Sequence, residues 1–214
     1  MLQDYFDKVY LINLPEQKER LSSSYSECDK LGIKFDLFKA KSGKDKDVVM
    51  NGEETEGWNR NAASLSLNTS TIIEDAKLKG YKSIFIMEDD VSFEDNFTGI
   101  FKSAYGTLPE DWHFFHLNTT HEISTRYVGG CLHRIGGAWC CQAYAINHLV
   151  YDIYLEELYK RDRPIDHITY MLQKDVKKSY CTVPNIVKHY PDRYSTLREK
   201  IVAEDPALIM VSIS

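Results

Sequence analysis

Three consecutive acidic residues, Glu88, Asp89 and Asp90, follow an apolar run at 84–87. A short run that is apolar at every position is typical of a strand buried on both faces, as in parallel sheets covered by helices. Ligands of open α/β sheets bind beyond the carboxyl ends of the strands, so these carboxylates stand where a ligand would bind. Carboxylate oxygens suit Mg²⁺ or Mn²⁺, which can bridge the phosphates of a nucleotide. The alternative is a helix cap, but three adjacent charges exceed what one cap requires.

The segments before the acids predict a strand, helix and strand crossover. The helical spacing of apolar residues and the glycines that end each periodic stretch set the limits of the helices. A charged segment without either periodicity predicts a long loop, which at this length is typical of a functional or mobile segment. We predict strands at 9–12, 35–39 and 83–87, helices between Asn13 and Gly32 and at 59–79, and a loop at 41–57.

The segments after the acids predict a further set of strands and helices. Four glycines, Gly129, Gly130, Gly136 and Gly137, allow tight turns or the close approach of a ligand. We predict strands at 113–117, 142–146 and 180–183, and helices at 149–159 and 165–173.

Composition limits the class of protein. The 214 residues suit one domain, and 26 basic against 32 acidic residues argue against nucleic acid as a main partner. No apolar stretch approaches the roughly 20 residues of a membrane span, and the first ten residues lack the apolar core of a signal peptide. Five cysteines, an odd number with two adjacent, favour reduced thiols and a cytoplasmic location.

Several segments together resemble glycosyltransferase family 25, which includes lipooligosaccharide and collagen galactosyltransferases. The opening VYLINLPEQKERL is similar to that family's first strand and turn, and NAASLSLNTSTIIEDAKLKGYKSIFIMEDDVSF to its helix, strand and acidic block. GGAWCCQAYAIN, PIDHITYM and VPNIVKHYPDRYS follow in family order. The compact length also resembles glycosyltransferases of large algal viruses.

The resemblance implies an α/β fold of the GT-A type, a single nucleotide-binding sandwich whose central, mostly parallel mixed sheet is flanked by helices. It implies Mn²⁺ or Mg²⁺ as cofactor and a UDP-sugar as donor, with a glycan or glycoprotein hydroxyl as acceptor. Asp90 is then expected to bind the metal, with Glu88 and His189 as further ligands. The nucleotide site is expected to include six residues: Leu11, Asn13, Leu14, Arg20, Glu88 and Asp89.

Asp166 matches the family position best suited to a general base, which an inverting enzyme needs to take the proton of the acceptor hydroxyl. The alternative is a cap of the helix that starts there. Arg20, Lys188 and Arg193 are candidate electrostatic helpers or plain surface charges. Trp139, Trp112 and Tyr144 could stack on a sugar, although most aromatic residues serve packing.

Two other classes of function stay open. A nucleotidyltransferase also places acids after a buried strand, but it needs a glycine-rich loop that NLPEQKER lacks. A sugar-binding or metal-binding module without catalysis is the second alternative. We expect residues 1–200 to form the transferase domain and the apolar tail at 201–214 to dock or to lead into a further catalytic domain. The transferred sugar is galactose by family default, with glucose or a deoxyhexose such as rhamnose as alternatives.

Overall fold

The computed structural model describes residues 1–55, 57–123 and 125–189, together with short strands at 194–195 and 200–201. Side chains are described for these residues except 121–123, 194–195 and 200–201. Arg193 and the tail beyond Ile201 lie outside the described residues, and the expected domain limits stay a prediction.

The described chain alternates helices with short strands. The helices are α1 (Lys18–Lys30), α2 (Arg60–Lys79), α3 (Phe97–Tyr105), α4 (Tyr151–Lys160) and α5 (Ile165–Val176). The strands are β1 (Lys8–Asn13), β2 (Asp36–Lys39), β3 (Ser83–Glu88), β4 (Val91–Phe93), β5 (Phe114–His116), β6 (Thr120–Ile123), β7 (Arg126–Gly129), β8 (Leu132–Ile135), β9 (Gly137–Trp139), β10 (Ala143–Asn147), β11 (Ser179–Thr182), β12 (Val187–His189), β13 (Tyr194–Ser195) and β14 (Lys200–Ile201).

Eight strands form one twisted sheet in the order β2-β1-β3-β10-β5-β11-β8-β7. Six of them run in one direction, and only β10 and β8 are antiparallel to their neighbours. The expected mostly parallel mixed sheet is therefore confirmed. Small two-stranded pairings, β4 with β12 and β6 with β9, lie outside this sheet.

Helices cover both faces of the sheet and create two apolar cores. On β1 and β3, alternate side chains enter opposite cores, as the two-residue period of a strand requires. Val9 and Phe85 pack with α1 and α3, whereas Tyr10 and Ile84 pack with α2, α4 and α5. This arrangement explains why the run before the acids is apolar at every position, and it gives the expected helix-flanked α/β sandwich.

The helix α2 follows its sequence signals closely. The Asn59 side chain accepts a hydrogen bond from the backbone N–H of Ala62 at 3.1 Å, and Gly80 ends the helix in the left-handed conformation with φ of 72°. The helix α1 differs from the prediction because it begins at Lys18, with Gln17 as its N-cap, and not directly after Asn13. The Asn13 side chain is instead used in contacts with Gln17 and Asp89.

The region between β5 and β10 contains more structure than predicted. Gly130 turns the chain between β7 and β8, which form a hairpin, with φ of 55°. Gly136 and Gly137 lie where the chain passes from β8 into β9, which pairs with β6. The short elements α3, β4 and β12 were also not predicted. The strands predicted at 113–117, 142–146 and 180–183 are confirmed to within two residues by β5, β10 and β11.

The segment 41–57 has no helix or strand among its described residues, as predicted, but it is anchored. Asn68 of α2 donates to the Lys41 carbonyl at 3.0 Å and accepts from its N–H at 2.9 Å. The Trp58 indole N–H donates to the Asn51 carbonyl at 2.9 Å. Because β2 runs parallel to β1 and β3, the segment that follows it lies at the same edge of the sheet as the acids.

Two expectations from composition can be compared with the structure. All five cysteines lie in the described residues and none is in a disulfide, in agreement with the prediction of reduced thiols. Within the described ranges, no helix has the length and apolar character needed to cross a bilayer.

Candidate functional site

The acidic residues lie at one edge of the large sheet, where several strand ends meet. The register pairs Ile12 near the end of β1 with Glu88 of β3, and Met87 of β3 with Ala143 at the start of β10. The carboxyl ends of β5 and β11 lie at the same edge, because both strands run parallel to β3. Segments that are distant in sequence therefore meet around the three acids.

Asp89 is buried and holds the turn between β1 and α1. Its carboxylate accepts a hydrogen bond from the Asn13 side-chain amide at 2.6 Å and pairs with Arg20 at 3.0 Å. Its backbone carbonyl accepts a hydrogen bond from the Ser24 hydroxyl at 2.8 Å. Burial raises the pKa of Asp89 to about 6 against the opposing effects of Arg20 and Asn13. Asp89 therefore shapes the expected nucleotide pocket by fixing the turn.

Arg20 connects two of the three acids. Its guanidinium lies 3.0 Å from the Asp89 carboxylate and 2.7 Å from the Asp90 carboxylate, and the Arg20 side chain is only 12% exposed. A planar guanidinium is suited to hold two carboxylates at once in such a partly dry place. The charge of Arg20 therefore offsets the repulsion within the acidic segment. Its expected electrostatic role toward a ligand stays a prediction.

Asp90 is linked to the late strand β12 through Gln142. The Gln142 side-chain amide donates to the Asp90 carboxylate at 2.8 Å and to the Asp90 carbonyl at 3.0 Å. The same amide nitrogen lies 2.9 Å from Nδ1 of His189, which is itself 3.3 Å from the Asp90 carboxylate. His189 and Asp90, the two expected metal ligands, are thus neighbours although 99 positions separate them.

The charges around Asp90 and His189 support one another. Burial raises the pKa of Asp90, but the hydrogen bond and charge of His189, followed by the charge of Arg20, lower it to about 2. In return, the hydrogen bond to Asp90 raises the pKa of His189 above its usual value. The pair therefore favours an ionised carboxylate at any physiological pH.

Glu88 has the opposite electrostatic environment. Burial raises its pKa well above the usual value, and the nearby charges of Asp90, Asp166 and Asp89 add to the increase. A carboxylate surrounded by other carboxylates is costly unless a positive charge is close. The position of Glu88 is therefore one at which a bound cation would relieve repulsion.

Asp166 lies in the first turn of α5 and faces the acidic cluster. Its carboxylate accepts a hydrogen bond from the backbone N–H of Cys141 at 2.9 Å. Burial raises its pKa above the usual value, partly offset by hydrogen bonds from Cys141 and Cys140 and by the charge of His189. The carboxylate is thus oriented by the chain that precedes β10, and the structure places it beside Glu88.

Other predicted residues have different surroundings. Leu11 is fully buried in the core, so its side chain can only support the pocket from beneath, and Leu14 is partly buried against the opposite core. Lys188 is exposed and pairs with Glu94 at 3.0 Å, which is the surface alternative for this residue.

The three candidate aromatic residues also separate into two groups. Trp112 and Tyr144 are core residues with exposures of 5% and 1%, as the packing alternative predicts. Trp139 is 37% exposed and is the one of the three that reaches the surface.

The family comparison gives a direct result. Residues 6–128, more than half of the chain, match the model of glycosyltransferase family 25, described as an LPS biosynthesis protein. The chain belongs to glycosyltransferase family 25. The matched segment includes β1, α1, α2 and β3, and therefore Asn13, Arg20 and the three acids of this family member.

Comparison with solved structures gives likenesses of low sequence identity. They include a glycosyltransferase involved in the glycosylation of the major capsid of PBCV-1 (13% identity, TM-score 0.40, 72% of this chain and 65% of that chain). A197 from STIV has 13% identity and a TM-score of 0.47 over 92% of this chain and 94% of its own. Mannose-1-phosphate geranyltransferase from Thermus thermophilus has 11% identity and a TM-score of 0.39 over 84% and 60%.

These likenesses leave the substrates of this family member undefined. The chain spans 65% of the length of the PBCV-1 protein. A comparison with curated proteins gives no match. Structural similarity at TM-scores below 0.5 says nothing about this chain's donor or acceptor.

The residues around Asp90 can be tested for their fit to a cation. The described part of the chain contains no group of three or more His, Cys, Asp or Glu side chains arranged to hold a metal ion. Cation sites in nucleotide enzymes commonly use one or two carboxylates and take their other ligands from substrate phosphates and water. Asp90 and His189, 3.3 Å apart, offer an oxygen and a nitrogen donor of the kind that such a site uses, while Arg20 and Gln142 contact the same carboxylate. The imidazole favours Mn²⁺ over Mg²⁺, which prefers oxygen ligands.

Two residues that organise the site were not predicted from sequence. Gln142 orients Asp90 and His189, and the buried Asn118 donates to the Gln142 side-chain oxygen at 2.7 Å. Both residues stand at strand ends on the acidic edge, after β5 and before β10. A polar residue at the end of a predicted buried strand was the available signal, because buried amides need partners.

Proposed function

We propose that this chain transfers a hexose from a UDP-sugar to a hydroxyl of a glycan or glycoprotein acceptor, with Mn²⁺ or Mg²⁺ as cofactor. The observation that carries the proposal is the convergence of Asp90, His189, Glu88 and Asp166 at one sheet edge in a member of family 25. These residues come from β3, β12 and α5 and the turn after β3, so the fold brings them together from distant segments. Their chemistry suits binding of a nucleotide diphosphate and proton transfer at neighbouring positions.

The donor side is supported by the turn between β1 and α1. Asn13 contacts Gln17 and Asp89 and so fixes the turn. The exposed parts of this turn would receive the uridine. Arg20 brings a positive charge to the same place. Leu11 and Leu14 support the turn from the two cores. This arrangement is suited to hold the base and to direct the diphosphate toward Asp90.

Asp90 and His189 would hold the cation, with Glu88 as a further or water-mediated ligand. The bound cation would supply Lewis-acid stabilisation of the negative charge that grows on the departing diphosphate. Arg20 adds a second positive charge, and Gln142 keeps the two proposed ligands oriented. Loss of a supporting residue of this type typically weakens metal affinity by about tenfold to 100-fold.

Asp166 is proposed as the general base of an inverting transfer. In this step the bond between the sugar C1 and the diphosphate oxygen breaks, and a bond between C1 and the acceptor oxygen forms. The acceptor proton passes to Asp166, and UDP leaves. The raised pKa of Asp166, caused chiefly by burial, makes its carboxylate a better proton acceptor than an exposed aspartate.

A thermal-shift panel tests the donor assignment, because a ligand that binds only the folded state raises its melting temperature. UDP, GDP, CMP and UDP-linked galactose, glucose and rhamnose are each compared with and without Mn²⁺. We expect a rise that is specific for UDP and dependent on Mn²⁺, and the UDP-sugar with the largest rise identifies the donor. Equal responses to all nucleotides, or none in a folded sample, would contradict the proposal.

Turnover separates the two remaining alternatives. Release of UDP from the best donor on addition of acceptor supports a transferase, whereas saccharide binding without any UDP response would favour a binding module. A nucleotidyltransferase would release pyrophosphate from a nucleoside triphosphate instead. The family match favours the transferase among these three classes.

A further inference from the structure

Trp139 is the exposed tryptophan of the chain. The other two, Trp58 and Trp112, have exposures of 6% and 5% and are core residues, whereas Trp139 has 37% of its surface exposed. An indole is among the most costly side chains to leave in water, because it carries a large apolar area. Packing explains the first two residues but not the exposed area of Trp139.

The Trp139 ring lies against two rings of α5. Its plane is 22° from that of His167 at a centroid distance of 5.9 Å, and 31° from that of Tyr170 at 5.7 Å. His167 and Tyr170 are one helical turn apart and present their rings to β9 together. The three rings form a tilted aromatic platform, defined here as Trp139, His167 and Tyr170, that keeps part of the indole open to solvent.

The strand β9 is shaped to hold this platform. A Cβ atom at Gly137 would lie 3.0 Å from the Tyr170 ring, closer than side-chain packing normally allows. A side chain at Gly137 would therefore push the tyrosine ring away from the strand by a few tenths of an ångström. The amino group of Lys174, the next turn of α5, lies 5.4 Å from the Tyr170 ring centre. Backbone and side chains thus fix the ring orientation.

The platform adjoins the proposed general base. Trp139 precedes by two residues the Cys141 N–H that donates to Asp166, and His167 directly follows Asp166. The chain leads from β9 directly into β10, which flanks β3 on one side, whereas the proposed nucleotide turn follows β1 on the other side of β3. A ring on this platform is therefore beside the acceptor end of the reaction and away from the base of the donor.

We propose that the aromatic platform is a stacking subsite for one pyranose ring of the acceptor saccharide, an inference that rests on the proposed function. The face of an aromatic ring is electron-rich, and the C–H bonds of one face of a pyranose carry partial positive charge. Sugars with several C–H bonds on the same face, such as β-galactosides, are the best match. Stacking there places a hydroxyl of the same or the next sugar beside Asp166.

Ligand-observed NMR tests this subsite directly. Methyl β-D-galactopyranoside is titrated into the wild-type chain in the presence of UDP and Mn²⁺, with mannitol as a polyol that has no ring face. We expect saturable binding of the galactoside but not of mannitol. Trp139→Ala should weaken the galactoside affinity by about threefold to tenfold, the range of one aromatic stacking contact, and Trp139→Phe should retain most of it.

Two controls make the outcomes distinct. Tyr127→Ala removes an aromatic residue that is 63% exposed on β7, and it should leave the affinity unchanged. UDP-induced stabilisation, measured on the same samples, should be equal in wild type and Trp139→Ala. Unchanged galactoside affinity in Trp139→Ala, or no galactoside binding by wild type that responds to UDP, would overturn the subsite while the proposed function stands. Loss of the UDP response in wild type would instead contradict the proposed function.

Discussion

The two halves of the large sheet are built differently. From β1 to β3 every pairing is parallel, and the connecting helices α1 and α2 have 13 and 20 residues. From β10 to β7 the strands have three to five residues, and three of the four pairings are antiparallel. The first half is a regular frame that local sequence signals specify. The second half depends on contacts between distant residues.

The difference also separates the proposed roles. The segments of the first half supply Arg20, Glu88 and Asp90 on the donor side. Asp166 of α5 and His189 of β12, a strand that pairs with β4 outside the large sheet, come from later in the chain. Gln142 connects the two groups of residues, because its side-chain amide donates a hydrogen bond to Asp90 and lies 2.9 Å from Nδ1 of His189. The two halves therefore meet at the proposed reaction centre, and variants in each half should affect different steps.

Asp166→Asn should cause the largest loss of transfer rate. It should affect proton transfer and leave donor binding intact. Asparagine keeps the shape and can still accept the hydrogen bond from Cys141, but it cannot take a proton. We expect transfer to fall by about 10²-fold to 10⁴-fold while UDP binding is retained. Steady-state turnover and calorimetry on the same preparation measure the two quantities. Full turnover would remove Asp166 as the base.

His189→Ala tests whether the late strand β12 contributes to cation binding on the donor side. Loss of the imidazole should weaken Mn²⁺ affinity by about tenfold to 100-fold, as expected for a group at or near a metal site. Lys188→Ala is the matched control, since Lys188 is the preceding residue of β12 and pairs with Glu94. A Mn²⁺ titration of UDP binding gives the Mn²⁺ affinity of each variant. Equal affinities in the two variants would show that His189 does not hold the metal.

His116→Gln tests whether a buried histidine stabilises the second half of the sheet. The expected effect is on the pH dependence of the free energy of unfolding, not on transfer. His116 is fully buried, accepts a hydrogen bond at Nε2 from Gln173 and donates from Nδ1 to the Cys140 carbonyl. Burial lowers its pKa from 6.5 to about 4. The neutral imidazole is therefore favoured in the folded state, and its contribution is present above pH 6.5 and lost as the pH falls toward 4.

The lowered pKa corresponds to about 3 kcal/mol of unfolding free energy between those pH values. Urea unfolding of wild type and His116→Gln at several pH values should give a difference curve that changes by about this amount. Groups common to both proteins cancel in that difference. Parallel stability curves would show that His116 does not titrate on unfolding in this range.

The contrast between halves also explains what the sequence could predict. The strands around Val9 and Phe85 and the helix from Asn59 to Gly80 were predicted because their burial, capping and periodicity are local properties. The start of α1 was not, since Asn13 is used by Asp89, 76 positions away. The strands β7, β8 and β9 have three or four residues each, which is too short to show a period.

The site divides in the same way. The acids, Asp166 and His189 were proposed from the apolar run and from the family resemblance, and the structure brings them to one edge. Gln142 and Asn118 were missed because an amide that supports its neighbours follows no spacing rule. Of the aromatic platform, only Trp139 was a candidate from the sequence. Its partners His167 and Tyr170 were missed, because their contact with Trp139 depends on the packing of α5 against β9.

We propose that the end of β3 binds a cation together with the diphosphate of the donor. The most direct test is calorimetric titration of UDP, with and without Mn²⁺, into wild type, Asp90→Asn and Asp152→Asn, a control in which a carboxylate with 80% exposure is changed in the same way. We predict that Asp90→Asn loses about 100-fold or more of the Mn²⁺-dependent affinity, while Asp152→Asn behaves as wild type. Wild-type affinity and Mn²⁺ dependence in Asp90→Asn would contradict the account.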